Sequence, residues 1–289
     1  MVPSDDTSPV FLVGTGRCGS TIVYSCMAMH QAFSWIPSWL TEAPGYPVLA
    51  AGNRLWDLWG MDRFRETRFF PKPVEPNPVL EHWSSTFRRE DMAPEVVEDS
   101  RATIPPLVSK LQKWHGNRRF LTKMVGRPVK IELLAALFPG ARFVHITRAL
   151  KPTTSSLLLV EFYRGGGFED WPWGTIPPTY LEFYQARGKP VELAAAITLQ
   201  LNLLELQRQL SAIGPSSWIS LPYADFIADP IEGMRRLGDW AHFTVDETFL
   251  KRLLRRKLYA GADEKWQKHF SPAQRRNLDD FEAAFMPSS

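Results

Sequence analysis

Eight residues near the start of the chain, Gly14-Thr-Gly-Arg-Cys-Gly-Ser-Thr21, have the types and spacing needed to hold an oxyanion. Glycines at 14, 16 and 19 let successive backbone N–H groups converge on one point, and Ser20 and Thr21 add hydroxyl donors. Arg17 supplies a cation, and a helix starting directly after the loop adds the positive end of its dipole. The run is close to G-x-x-x-x-G-K-[ST], the loop that cradles nucleoside triphosphates. It departs where the chemistry lies. Ser20 stands in place of the lysine that reaches the terminal phosphates, and the cation sits three residues earlier. Cys18 shares the helix N-terminus, where thiolates are stabilised. A phosphatase-type Cys-x5-Arg site needs arginine at position 24, where this chain has Tyr24, so Cys18 reads as a small loop residue.

The elements around the loop set it where a phosphate loop belongs. Val10–Val13 is a short apolar run ended by glycine, the mark of a buried strand, and Thr21–Met29 reads as a helix. Further on, Arg119–Lys123, Arg142–Thr147 and Trp218–Leu221 read as strands, and Lys130–Phe138, Pro152–Tyr163 and Glu192–Ile213 as helices. Asp229-Pro230 opens another helix with proline in its first turn. Between 45 and 115 helical pieces (Ala50–Trp59, Val79–Arg89, Ile104–Trp114) are broken by proline-rich links. The alternation predicts an α/β fold: a three-layer parallel sheet with a P-loop-like phosphate-binding loop and helices on both faces. Residues 45–115 and 164–190 are expected to form a helical and loop cap over the substrate site. The whole of 1–289 is expected to be one domain.

Composition narrows the function classes. With 34 Lys and Arg against 31 Asp and Glu, the net charge of +3 suits an anionic ligand and gives no footprint for nucleic acid. No apolar run is long enough for a membrane span. The acidic start, MVPSDDTSPV, lacks the regions of a signal peptide, and two cysteines give no disulfide framework. A reducing, cytoplasmic location is the expectation. The six histidines show no ligand spacing, so no metal is expected. Of the eleven tryptophans, seven fall in the stretches Ser34–Trp59, Phe69–Trp83 and Trp171–Tyr184, as in an aromatic-lined pocket for an apolar or ring-bearing acceptor.

Taken together, these runs make the chain resemble the PAPS-dependent sulfotransferases, which use 3′-phosphoadenosine 5′-phosphosulfate (PAPS). Arg17-Cys-Gly-Ser-Thr21 is similar to that family's 5′-phosphosulfate loop, whose cation lies near the bridging oxygen and the transferred group. Phe143-Val-His-Ile-Thr-Arg148 followed by Ser156 is similar to its 3′-phosphate motif, with arginine ending a strand and serine eight residues on. Such a pair can face one phosphate at a strand–helix junction. Leu121-Thr-Lys123 with Leu133–Arg142 resembles the family's strand lysine and the run after it. Pro222-Tyr223-Ala-Asp-Phe-Ile-Ala-Asp-Pro230 resembles the segment whose tyrosine contacts adenine, and Lys265-Trp-Gln-Lys-His269-Phe-Ser the W-K-N-H-F-T segment. The family's R-K-G-x-x-G is degenerate here: Gly261 survives, but Tyr259 and Ala260 stand for its cations. Arg255, Arg256 and Lys257 are the nearby substitutes.

The resemblance implies in-line transfer of a sulfuryl group from PAPS to a hydroxyl of a small-molecule, sugar or lipid acceptor, without a metal. It implies catalytic roles for Arg17 and Lys123. Gly14, Thr15, Gly16, Arg17, Cys18, Gly19, Ser20, Thr21, Arg148, Ser156, Tyr223, Gly261 and Lys265 would bind the donor. The general base stays open. Cytosolic relatives place a histidine two residues after the strand lysine, where this chain has Val125. Tyrosylprotein relatives use a glutamate after the first helix, whose nearest counterpart is Glu42, and Glu75 and His82 are rivals. A P-loop kinase or nucleotide hydrolase, and a nucleotide-binding relative without catalysis, are the alternative readings. His145, inside an apolar strand, is read as a satisfied core histidine.

Overall fold

Five short runs form strands, all but the edge strand β5 largely buried: β1 (Val10–Gly14), β2 (Phe33–Ser34), β3 (Arg119–Val125), β4 (Arg142–Thr147) and β5 (Trp218–Pro222). The computed structural model describes residues 7–58, 67, 69–87, 94–125, 130–160, 163, 176–255 and 264–286. All strand pairs are parallel, in the order β2-β3-β1-β4-β5. The central strand is β1, wholly buried, with β3 and β4 on either side. Its C-terminal end is therefore a point where the chain's connections diverge, the crevice that ligands use in open α/β sheets.

In chain order the α-helices are α1 (Ser20–Met27), α2 (Ser38–Glu42), α3 (Asn77–Trp83), α4 (Pro94–Trp114), α5 (Ile131–Leu137), α6 (Leu150–Leu158) and α7 (Pro178–Ala186). Then come α8 (Val191–Ile213), α9 (Tyr223–Ala228), α10 (Pro230–Ala241), α11 (Glu247–Leu254), α12 (Trp266–His269) and α13 (Pro272–Phe285). Strand residues alternate between two cores. On one face Leu12, Leu121 and Val144 pack with Val23, Phe226, Leu237 and Leu253 of α1, α9, α10 and α11. On the other, Phe11, Val13, Phe120 and Phe143 meet Leu107, Leu134, Leu206 and Leu210 of α4, α5 and α8. Phe11 and Phe143 stack with centroids 5.4 Å apart. A third cluster joins α6, α7, α8 and α13 through Ile197, Leu201, Leu278 and Phe281. The expected α/β sheet with helices on both faces is what the chain builds.

Several boundaries differ from the sequence reading. The run Pro47–Asp57 is a 3-10 helix, not an α-helix over 50–59. Helix α4 begins at Pro94, ten residues before Ile104, and carries Pro105 and Pro106 inside it. A proline pair reads as a helix boundary because it removes two N–H donors. Here burial of Ile104, Leu107, Val108 and Leu111 against the sheet overrides it. Strand β2 has two residues, too few to register as a period. In the expected cap, α3 and α4 close the core over one sheet face. Helix α7 packs on α13 with Tyr180 stacked on Phe285 at 4.4 Å. Residues 164–175 lie outside the described residues.

His145 is in the core, as expected, but it is not satisfied: it is 5% exposed and its Nε2 has no hydrogen-bond partner. Burial alone holds its pKa down to about 4. His115 falls to about 3, through burial first and the Arg118 guanidinium second. Both are neutral in the fold and take up a proton on unfolding below their unfolded value of 6.5. Stability is thus lost as pH falls from 6.5 towards 4, on the order of 2 kcal/mol per histidine at pH 5. The melting temperature should drop between pH 7 and pH 5, with a shallower slope in His145→Gln. An unchanged slope in that variant would contradict the assignment.

Candidate active site

The loop between β1 and α1 is shaped by what its glycines touch. A Cβ on Gly14 would lie 2.7 Å from the Ile146 carbonyl oxygen and 2.8 Å from Cys18 Sγ, so only glycine lets β1 pass into the loop. Gly19 has φ 89° and caps α1, and a Cβ there would lie 2.2 Å from Cδ2 of Tyr223. The tyrosine ring therefore rests against the loop glycine. Arg17 also takes a left-handed φ of 67°, a conformation uncommon outside glycine. Cys18 is buried, and desolvation raises its thiol pKa despite the helix N-terminus. The thiol stays protonated and packs inside the loop.

Sheet register brings the other groups to this loop. Leu12 pairs with Lys123 across β1 and β3, so the lysine rises beside the loop from the neighbouring strand. It is only 5% exposed, and its Nζ donates to Thr21 Oγ1 at 2.6 Å and pairs with Glu75 Oε1 at 2.8 Å. On the other side Thr147 of β4 pairs with Pro222 of β5, so Arg148 and Tyr223 leave adjacent strands at the same level. The Arg148 guanidinium sits 5.0 Å from the Tyr223 ring centroid, and its Nη1 donates to the Arg17 carbonyl at 3.0 Å. Arg17 Nε donates to Ser156 Oγ at 3.0 Å. Ser156 stands on α6, two turns after the strand.

These groups line one cavity of about 610 Å³ at the C-terminal edge of the sheet. Gly16, Arg17, Gly19, Ser20, Thr21, Lys123, Arg148, Ser156, Tyr223 and Lys265 all reach it. Cys18 does not, and Thr15 faces a smaller cavity of about 110 Å³ behind Arg148. Gly261, Arg256 and Lys257 lie outside the described residues. Arg255 is exposed just past α11. Among the described lining residues, Arg17, Lys123, Arg148 and Lys265 face a single carboxylate, Glu75, so the cavity is made for a multiply charged anion. No group of three or more His, Cys, Asp or Glu side chains that could hold a metal occurs among the described residues.

Of the three candidates for the base, the structure brings one to the cavity. Glu42 ends α2 exposed and does not line it, and His82 is exposed with its ring against Trp83. Glu75 lines it. The sequence reading also left unassigned the groups that close the far wall. Trp266 and His269 of α12 line the cavity, and His269 Nδ1 is 2.8 Å from Ser155 Oγ. Lys151 pairs with Asp279 and Glu282 of α13 at 2.5 and 2.7 Å and lies over the Trp266 ring. The signal was present, since Ser155 precedes the serine of the 3′-phosphate motif and His269 lies in the last quoted segment.

The chain is similar to several known proteins. The omega-hydroxy-beta-dihydromenaquinone-9 sulfotransferase Stf3 of Mycobacterium bovis is 23% identical over 308 aligned positions, covering 94% of this chain and 72% of that protein. The crystal structure of sulfotransferase STF9 from Mycobacterium avium superposes with a TM-score of 0.58 at 16% identity, covering 97% of this chain and 77% of that one. The sulfotransferase domain from the curacin biosynthetic pathway gives 0.53 at 12%, covering 95% and 97%. These two structures share the fold. The profile of the Sulfotransferase family matches residues 9–247, more than half of the chain. A parallel sheet, a glycine loop without the kinase lysine and that match have one reading: the chain belongs to the sulfotransferase family.

Proposed function

We propose that the sulfuryl donor is PAPS and that its two anionic ends are held by the loop and by the Arg148–Ser156 pair. One observation carries this reading. Arg17 Nε reaches Ser156 Oγ at 3.0 Å while Arg148 bonds the Arg17 carbonyl, so the 5′ and 3′ anchors meet in one cavity. The residues fit such a nucleotide. Four cations outnumber one carboxylate, and Tyr223, seated on Gly19, offers an aromatic edge for a purine. When bound, PAPS supplies a sulfuryl group attached to a phosphate leaving group. Arg17, at the turn of the loop, neutralises charge between the departing phosphate and the sulfuryl oxygens. Lys123, desolvated and held by Thr21, does so from the β3 side. Backbone N–H groups of 17–21 and the α1 dipole hold the phosphate end.

For the acceptor we favour a hydroxyl on an apolar body. Ile22, Val125, Leu159 and Trp266 line the same cavity, and Leu159 is 68% exposed there. The Stf3 relative carries in its name a hydroxylated menaquinone, an acceptor of that kind. No helix among the described residues is long and apolar enough to cross a membrane. Neither cysteine is in a disulfide and both are buried, in keeping with a reducing cytoplasm.

Isothermal titration calorimetry with 3′-phosphoadenosine 5′-phosphate (PAP) and with ATP tests the donor. PAP should bind and ATP should bind at least about tenfold more weakly, whereas preference for ATP would sink the reading. Transfer from labelled PAPS to 1-dodecanol, 2-naphthol and a disaccharide should favour the first two. Arg17→Ala should lower the rate by about 10²-fold or more, and an unchanged rate would remove Arg17 from the mechanism. In Gly19→Ala, the strained φ and the Tyr223 ring should cost PAP affinity at least about tenfold and lower the melting temperature. Wild-type affinity in that variant would show that the ring does not stand on the loop.

A further inference from the structure

We infer that Glu75 is the general base of the transfer, an assignment that rests on the donor reading above. Among the described residues lining the cavity, the carboxyl and imidazole groups are those of Glu75 and His269. His269 bonds Ser155 on α6, on the β4 side with Arg148. Glu75 stands on the β3 side, on Lys123, the cation given to the sulfuryl oxygens. Its carboxylate is half exposed while Lys123 is nearly buried, so it meets the cavity from the open side, where an acceptor enters.

The segment that carries Glu75 is built to hold it still. Pro71, Pro73 and Pro76 each fix φ, which lowers the entropy lost in placing the carboxylate. Pro73 bridges Pro37 in antiparallel fashion, and Val74 N–H donates to the Ile36 carbonyl at 3.2 Å. Lys72 exchanges bonds with Ser38, its N–H donating to Ser38 Oγ at 3.2 Å and its carbonyl accepting from Ser38 N–H at 2.8 Å. The Pro71 carbonyl accepts from the buried indole of Trp56 at 2.6 Å. Pro76 then caps α3. The same bonds hold α2, which carries Glu42, but Glu42 does not line the cavity and Glu75 does.

The acceptor hydroxyl gives its proton to the Glu75 carboxylate as its oxygen forms a bond to sulfur. The bond from sulfur to the bridging phosphate oxygen breaks, and that electron pair stays on the phosphate of PAP. Lys123, which contacts both Thr21 and Glu75, meets the negative charge that leaves the carboxylate for the sulfuryl group. The proton on Glu75 passes to solvent, to which the side chain is half exposed.

The experiment follows PAP release from PAPS with 1-dodecanol, 2-naphthol and water alone as nucleophiles, so that a rate is read whatever the natural acceptor. PAP affinity is measured in parallel by calorimetry. Glu75→Gln should lower kcat by about 10²–10⁴-fold with PAP affinity equal to the wild type or higher, because Lys123 loses its competing carboxylate. Acetate should restore part of the rate to Glu75→Ala. A Glu75→Gln rate within about threefold of the wild type would overturn the assignment and leave the donor reading standing. So would a fall in PAP affinity as large as the fall in kcat, which marks a structural support. Absence of PAP binding and of PAP release in the wild-type chain would remove the donor reading, and this assignment with it.

Discussion

The structure depends on the crowding of positive charge at the C-terminal edge of one parallel sheet. Arg17, Lys123, Arg148 and Lys265 face a common space, and the dipole of α1 points into it with the same sign. Like charges so placed repel, and the fold answers by giving three of them a polar or aromatic partner. Lys123 leans on Thr21 and Glu75, Arg17 on Ser156, and Arg148 on the Tyr223 ring and the Arg17 carbonyl. Each partner is neutral or half exposed, so the excess stays available for an anion. The remainder of the architecture keeps these groups from moving apart: β1 flanked by β3 and β4, aromatic cores on both faces, and α6 strapped by α12 and α13.

Much of this was legible in the sequence because the relevant signals are short and local. A buried strand running into glycines, an arginine at a strand end and a serine eight residues on can be read without knowing what packs where. The register explains why they succeed: β3 and β4 flank β1, so residues at the C-terminal ends of three strands meet at one edge of the sheet. Four of the five strands were legible for the same reason, each a short run rich in apolar residues, while the two residues of β2 were not.

What was not legible depends on contacts between segments far apart in the chain. Glu42 and Glu75 both sit near prolines and tryptophans, and resemblance to the tyrosylprotein relatives pointed to Glu42 with Glu75 as a rival. Only the pairing of residues 36–38 with 72–74 puts Glu75 on Lys123 and leaves Glu42 outside. The prolines of α4 concealed ten residues of helix because propensity is a local rule, and burial of its apolar face is not. Unsatisfied His145 was equally beyond reach, because an apolar strand predicts burial and says nothing about hydrogen bonds.

The bond between Arg17 and Ser156 spans 139 residues, and that between Ser155 and His269 spans 114. The sheet closes loops of similar length, since Val10 of β1 pairs with Leu121 of β3 and with Arg142 of β4, so sheet and cavity share the same chain-entropy cost. A site whose anchors lie this far apart is made by no single segment: an insertion that displaced α6 or α12 would cost the cavity its far wall even with the glycine loop intact.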